Sequence, residues 1–298
     1  MARFAEDHTT VLAGFGFDDD GPYLLLSDLD RAVQTRFSVL GKTFSVQRLP
    51  RRRCTGSFDL VTHRRQVCPM AIELPGDSRE SMCPACREAT GFNPAFYNTP
   101  VISPQQRAYN LTPHLVYMAY FAPQYVKVGI TAQSRGIKRL LEQGARASLV
   151  VGRFDNAEDA REMEARLCAQ ADIYETMRMA KKVELFVETR YDFPEAETTL
   201  QATAQRLGLH PIEGCLDLTP FYFERAGLGH DELQLPGYES DGVCAGRCIG
   251  MVGPMLVFEQ GGNAYVVPIK DWESHEVNLY LDEVIHEYTF EPLQMSLL

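Results

Sequence analysis

The sequence predicts an α+β chain, with a small antiparallel sheet and its helices at the centre, a cysteine-rich segment before it, and β units on either side. Three observations carry this. Short apolar runs punctuated by Gly, Pro and Asp occupy residues 10–50 and return after Val243, as strands and turns do. Four of the eight cysteines fall between Cys54 and Cys86. Between His114 and Glu164, two apolar strand-like runs precede a basic helical stretch and then a helical stretch bearing carboxylates.

At 298 residues the chain is long for one core. We divide it into a β unit at 1–50, a cysteine segment at 51–110, a central unit at 111–210 and an acidic β unit at 211–298 that packs with the first. Composition is ordinary for a globular protein, at 45% apolar and 23% charged. No apolar run approaches the roughly 20 residues of a membrane span. The stretch Met1 to His8 carries acids where a secretory leader is basic and then apolar, so a cytoplasmic protein is expected.

In the first unit, Thr10–Gly14, Gly21–Leu26 and Phe37–Leu40 read as strands. The pattern Val11-x-Ala13-Gly14-x6-Gly21-Pro22-x-Leu24 recurs without a gap as Val243-x-Ala245-Gly246-x6-Gly253-Pro254-x-Leu256, which suggests a duplicated β unit. Past it, Leu256–Phe258, the turn Gln260-Gly-Gly-Asn263 and Ala264–Val267 read as a hairpin.

Cys54, Cys68, Cys83 and Cys86 follow the order C-x13-C-x14-C-x2-C. A C-x2-C knuckle brings two thiolates to one tetrahedral ion while more distant cysteines complete its shell, and in a reducing cytosol the spacing favours metal over disulfide. A zinc-ribbon-like segment with a structural Zn2+ is the reading, because so short a stretch buries little surface without a staple. Cys168 and Cys215 read as small core residues. Cys244 and Cys248, with His275 and His286 downstream, leave a second metal open. A loop-like stretch bearing four prolines joins Gly91 to Pro113.

In the central unit, His114–Phe121 and Tyr125–Ile130 form an antiparallel pair across Ala122-Pro123-Gln124. Ser134 reads as the N-cap of a helix with Ile137, Leu140 and Leu141 on one face. Arg135, Lys138 and Arg139 fall on the other, and Gly144 is the stop. Ala147–Val151 is a third strand. Asn156 caps a helix through Ala160, Met163, Glu164 and Leu167.

These residues resemble the core of the GIY-YIG nuclease superfamily. Tyr117 matches its first tyrosine. Lys127-Val128-Gly129 sits at its second triplet, so Lys127 replaces the second tyrosine. Arg139 matches its arginine, with Arg135 as the alternate register, and Glu164 after Ala160 matches its metal-binding glutamate. The chain is also similar to the bacterial domain-of-unknown-function family 2797 in "PHLVYMAYF", "VKVGIT" and "RLLEQGA" and in the cysteine-rich segment upstream, over most of residues 54–170. The first resemblance implies phosphodiester hydrolysis: Tyr117 as base, Arg139 as phosphate clamp and Glu164 as the single carboxylate anchor of Mg2+ or Mn2+. Lys127 is a phosphate donor or, with a lowered pKa, a base. His114 is a further candidate donor to substrate.

The net charge of −11 is unevenly spread. From His210 onward there are 15 acids against Arg225, Arg247 and Lys270, which makes that unit a candidate protein-partner surface. The rest is near balance, and Arg48, Arg51, Arg52, Arg53, Arg64 and Arg65 face only Asp59 locally, as an Arg-rich loop able to attract phosphate. No ATP-binding loop, Ser-His-Asp order or nicotinamide fingerprint is present. The expectation is a GIY-YIG-like metal-dependent nuclease or phosphodiesterase acting on DNA or RNA. A non-catalytic nucleic-acid-binding protein and a different reaction on the same scaffold are the alternatives.

Overall fold

Strands from the two ends of the chain pair with one another, and this pairing builds the largest of three sheets. A computed structural model of the chain describes residues 8–93, 101–224, 233–236 and 242–288. The stretch before His8, Arg225, and part of the proline-bearing loop lie outside these residues. Strands β1 (Thr10–Asp18), β2 (Gly21–Asp28) and β3 (Val33–Ser38) form an antiparallel meander, followed by β4 (Thr43–Arg53). The cysteine segment adds the short strands β5 (Ser57–Phe58), β6 (Arg65–Gln66) and β7 (Glu73–Leu74), then helix α1 (Pro84–Thr90).

Next come α2 (Pro104–Asn110), β8 (His114–Ala122), β9 (Tyr125–Ala132), α3 (Lys138–Gln143), β10 (Ala147–Phe154), α4 (Ala157–Cys168), β11 (Ile173–Tyr174), α5 (Met179–Glu188), α6 (Phe193–Arg206) and β12 (Leu216–Asp217). The chain closes with β13 (Leu233–Gln234), β14 (Val243–Val252), β15 (Met255–Gln260), β16 (Asn263–Pro268) and β17 (His275–Leu281). The hairpin read at 256–267 is present, with Gln260 opposite Asn263.

The ten-stranded sheet runs β13-β16-β15-β14-β4-β17-β1-β2-β3, with β7 paired to β4. Strand β4 lies between β14 and β17, and β17 lies between β4 and β1. The meanders β1–β2–β3 and β14–β15–β16 thus flank a central pair, and each four-strand unit inserts its last strand beside the first strand of the other. The motif shared by Val11 and Val243 falls on corresponding strands, but not in register. Gly21 opens β2 opposite Asp18, whereas Gly253 lies in the turn between Val252 and Met255.

The basic stretch read as a loop is a strand. Arg48 to Arg53 form the outer half of β4, held by β17 and β7. Arg52 is 8% exposed and donates to Ser274 Oγ at 2.7 Å, Glu80 O at 3.0 Å and Pro75 O at 3.2 Å, and to Ser78 O. Arg53 pairs with Glu276 at 2.8 Å. These two guanidiniums tie the cysteine segment to the sheet and are committed to protein partners, whereas Arg51, Arg64 and Arg65 remain exposed.

The second sheet, β11-β9-β8-β10-β12, has five strands. Alternation along β8 divides it between two cores. Val116, Met118 and Tyr120 pack with Ala160 and Leu167 of α4 and with Ala196 and Leu200 of α6. Tyr117, Ala119 and Phe121 face the opposite way, joining Leu140 and Leu141 of α3, Val183 and Phe186 of α5, and the inner face of the large sheet. Helices α3 and α5 are therefore sandwiched between the sheets.

Two helix starts test the local reading. Ser134 does not cap α3: Gln133–Arg135 form a 3-10 turn, and the helix begins after Ile137 without a side-chain cap. Gly144, in the left-handed region at φ 77°, does end it. Asn156 does cap α4, its side chain accepting from Asp159 N at 2.9 Å. Asn156→Ala is expected to destabilise the fold by about 1 kcal/mol in urea unfolding, with no loss of metal.

Candidate functional site

The four cysteines between β4 and α1 come together. Cys54, Cys68, Cys83 and Cys86 are all buried, and their Sγ atoms lie within 4.8 Å of one another. Cys83 occupies the N-cap position of α1 without a side-chain capping bond and Cys86 lies in its first turn, so the knuckle is set by one helix start. Backbone N–H groups of Cys83 (3.1 Å) and Gly56 (3.4 Å) donate to Cys54 Sγ, as expected around a thiolate. Gly56 has φ 88°, and a Cβ there would overlap the carbonyl oxygen of Gln66, so a glycine is needed for the segments that carry Cys54 and Cys68 to close. Burial raises the Cys54 thiol to about 11, a cost that a bound cation removes. An all-sulfur buried set of this kind is compatible with a structural Zn2+.

Cys244 and Cys248 behave differently. Both are fully buried in the larger core and belong to no metal-holding group among the described residues. His275 Nδ1 is engaged at 2.8 Å with the Leu49 carbonyl.

The second constellation lies where β8, β9, α3, α4 and α5 meet. Tyr117 on β8 is 1% exposed and stands opposite Gly129 on β9. A Cβ on Gly129 would stand 2.6 Å from the Tyr117 hydroxyl and 3.2 Å from Lys127 Nζ, so phenol and amine converge over a residue that has no side chain. Gln143, the last residue of α3, donates from Nε2 to the Tyr117 hydroxyl at 2.6 Å. Burial pushes the Tyr117 phenol up, against the opposing charge of Arg139 and the Gln143 bond. Burial thus favours the neutral hydroxyl at Tyr117, which can donate a hydrogen bond.

Lys127 is half-buried and donates to Val128 O at 3.3 Å. Burial pulls its amine down, partly offset by Glu164 and reinforced by Arg139. Glu164 on α4 is 5% exposed and ion-paired with Arg161, which also binds Glu175 at 2.7 Å. Arg139 is partly exposed, 3.8 Å from Glu142, and Arg135 is held by the same Glu142. The tip of the cysteine segment reaches this rim, where burial first and then the charge of Arg135 depress the His63 imidazole.

Of the residues singled out in the sequence, Tyr117, Lys127, Arg139 and Glu164 share one electrostatic neighbourhood, with Arg135 at its edge. His114 does not join them. It shares the parity of Val116 and Met118, is 1% exposed, bonds the Thr112 carbonyl at 2.7 Å and packs edge-on against Tyr109. Two participants went unread. Gln143 reads in the sequence only as part of a helix, and Lys182 of α5, whose Nζ donates to Gln143 O at 2.7 Å, lies 39 residues away. No short-range pattern joins them.

The Glu164 carboxylate is paired with Arg161 and faces Lys127, and it belongs to no group of three or more His, Cys, Asp or Glu side chains that could hold a metal among the described residues. The molecule is thus a mixed α and β protein with a four-cysteine centre and a buried Tyr–Lys cluster rich in cations. The chain belongs to the family described as protein of unknown function (DUF2797), whose model matches residues 104–277. No curated protein and no solved structure matches the chain.

Proposed function

We propose that the Tyr117 site is a GIY-YIG-like phosphodiesterase centre acting on nucleic acid. The observation that carries this reading is the convergence of the Tyr117 hydroxyl and the Lys127 amine over Gly129, within the field of Arg139 and Glu164. Neutral Tyr117 donates to a phosphoryl oxygen, and Arg139 at the rim pairs with the phosphate charge. Lys127 donates from its charged amine to a second phosphoryl oxygen. Glu164 holds that amine in place by charge. The four-cysteine zinc segment and its exposed Arg64 and Arg65 support the strand outside the site. Should Mg2+ or Mn2+ serve as cofactor, Glu164 is its carboxylate, and Arg161 has to move away.

A second reading, a nucleic-acid-binding protein without cleavage, is favoured by one observation: Arg161 already neutralises the Glu164 carboxylate. Purified protein is expected to nick DNA or RNA with Mg2+ or Mn2+ present, and Glu164→Ala to lower the rate by a factor of about 100 or more. Salt-sensitive binding that survives Glu164→Ala, with no cleavage by the native chain, assigns the molecule to the binding class instead.

A further inference from the structure

Lys182 approaches the cluster from a different element than any residue in the motif. Its amine is half-buried, donates to the Gln143 carbonyl at 2.7 Å and lies 5.3 Å from the Phe121 ring centroid. Gln143 is therefore gripped twice: its backbone binds Lys182 and its side-chain amide binds Tyr117. Gln143 is 6% exposed, yet its Oε1 has no partner. With the amide in this orientation, the hydrogen of the Tyr117 hydroxyl points elsewhere. With the amide turned over, Tyr117 donates to Oε1 and the NH2 group becomes the unpaired donor. As placed, the unpartnered atom is the amide oxygen, an acceptor, and only the turned-over amide presents an unpaired donor beside Tyr117.

The charges acting on Lys182 are those of Lys127 on β9 and Arg139 on α3, both positive, with Tyr117 on β8 behind Gln143. On its own helix, Lys181 is occupied by Glu184. Three cations gathered about the Tyr117–Gln143 pair, whose amide can turn its NH2 group to an acceptor, make a receptor for a doubly charged oxyanion. We propose that Lys182 is the third cation of this site and that, with Lys127 and Arg139, it holds a dianionic phosphate group over the Tyr117–Gln143 pair. This inference deepens the phosphodiesterase reading and rests on the same site.

Lys182 also sets a pH response. Burial first, then the two neighbouring cations, bring its amine down to about 8. Below that pH it is charged and binds the anion. Above it the proton leaves and the contribution is lost, so affinity falls as pH rises.

Sulfate is a suitable probe, because it stays dianionic where phosphate titrates. Calorimetric titration of the full chain with sulfate at about pH 6.5 and about pH 9.5 should show affinity falling by about tenfold or more at the higher pH. Lys182→Met should be about tenfold weaker at the lower pH and lose most of the step. Lys182→Arg, which keeps its charge, should bind at both. Sulfate binding that is absent, independent of pH, or equally pH-dependent in Lys182→Met overturns the proposal. Sulfate binding with this pattern but no cleavage of DNA or RNA overturns only the hydrolytic reading. Cleavage with unaltered sulfate binding in Lys182→Met overturns only the role given to Lys182.

Discussion

Cys83→Ser is expected to reduce the zinc content from about one ion per chain to near zero and to unfold residues 54–91 as a unit. The magnitude follows from how little else holds that segment. Its strands are two residues each, and its apolar cluster is built on the four cysteines with Leu74, supported by Ile72 and Met82. Structural zinc in such small units contributes on the order of 10 kcal/mol of apparent binding free energy, which here is folding free energy. Serine keeps the volume but is a far poorer ligand. Metal analysis with limited proteolysis checks the result: cleavage should appear between Thr55 and Gly91 while the central unit stays intact. Cys244→Ser, in the apolar core, should leave the metal content unchanged, so the pair of variants separates ligand from packing. Retention of a full zinc equivalent by Cys83→Ser would rule out the four-cysteine centre.

Gly129→Val is expected to destabilise the fold by about 3 kcal/mol, against the ordinary preference of strands for β-branched residues. The backbone of Gly129 imposes no left-handed conformation, so the penalty is purely one of space. The new Cβ alone would sit 2.6 Å from the Tyr117 oxygen and 2.8 Å from its Cζ, and the ring, 1% exposed, has nowhere to retreat. Urea unfolding of Gly129→Ala, Gly129→Val and their combinations with Tyr117→Leu gives the coupling. The doubles should recover most of the loss if the clash is with the ring. Additive losses would mean that the two residues do not oppose each other.

How much of this was legible in the sequence depended on range. The cysteine spacing, the Gln260–Asn263 turn and the Asn156 cap are local signals, and each appears where the residues indicated. Arg48 to Arg53 misled because a polar, proline-bearing run looks like loop. Its strand character comes from β17, some two hundred residues later, which no local pattern contains. The position of His114 is legible in the sequence. Three residues from Tyr117 along a strand, it faces the opposite side by simple alternation. Lys182 had no local signal at all, since α5 reaches Gln143 only through the packing of two sheets. The family to which the chain belongs covers residues 104–277, and so includes α5 and the second β unit as far as the start of β17.

The exchange of last strands between the two β units has a consequence for synthesis. Strand β4 has both of its long neighbours, β14 and β17, encoded after residue 242. A ribosome that has released β1 to β4 has therefore released a sheet with an unfilled slot, and it must translate the whole central unit before the slot can close. At typical elongation rates of 5–20 residues per second, that wait is on the order of ten seconds or more, with apolar Phe44 and Val46 uncovered. The chain is expected to lean on holding chaperones during translation, and to refold slowly from denaturant for the same topological reason.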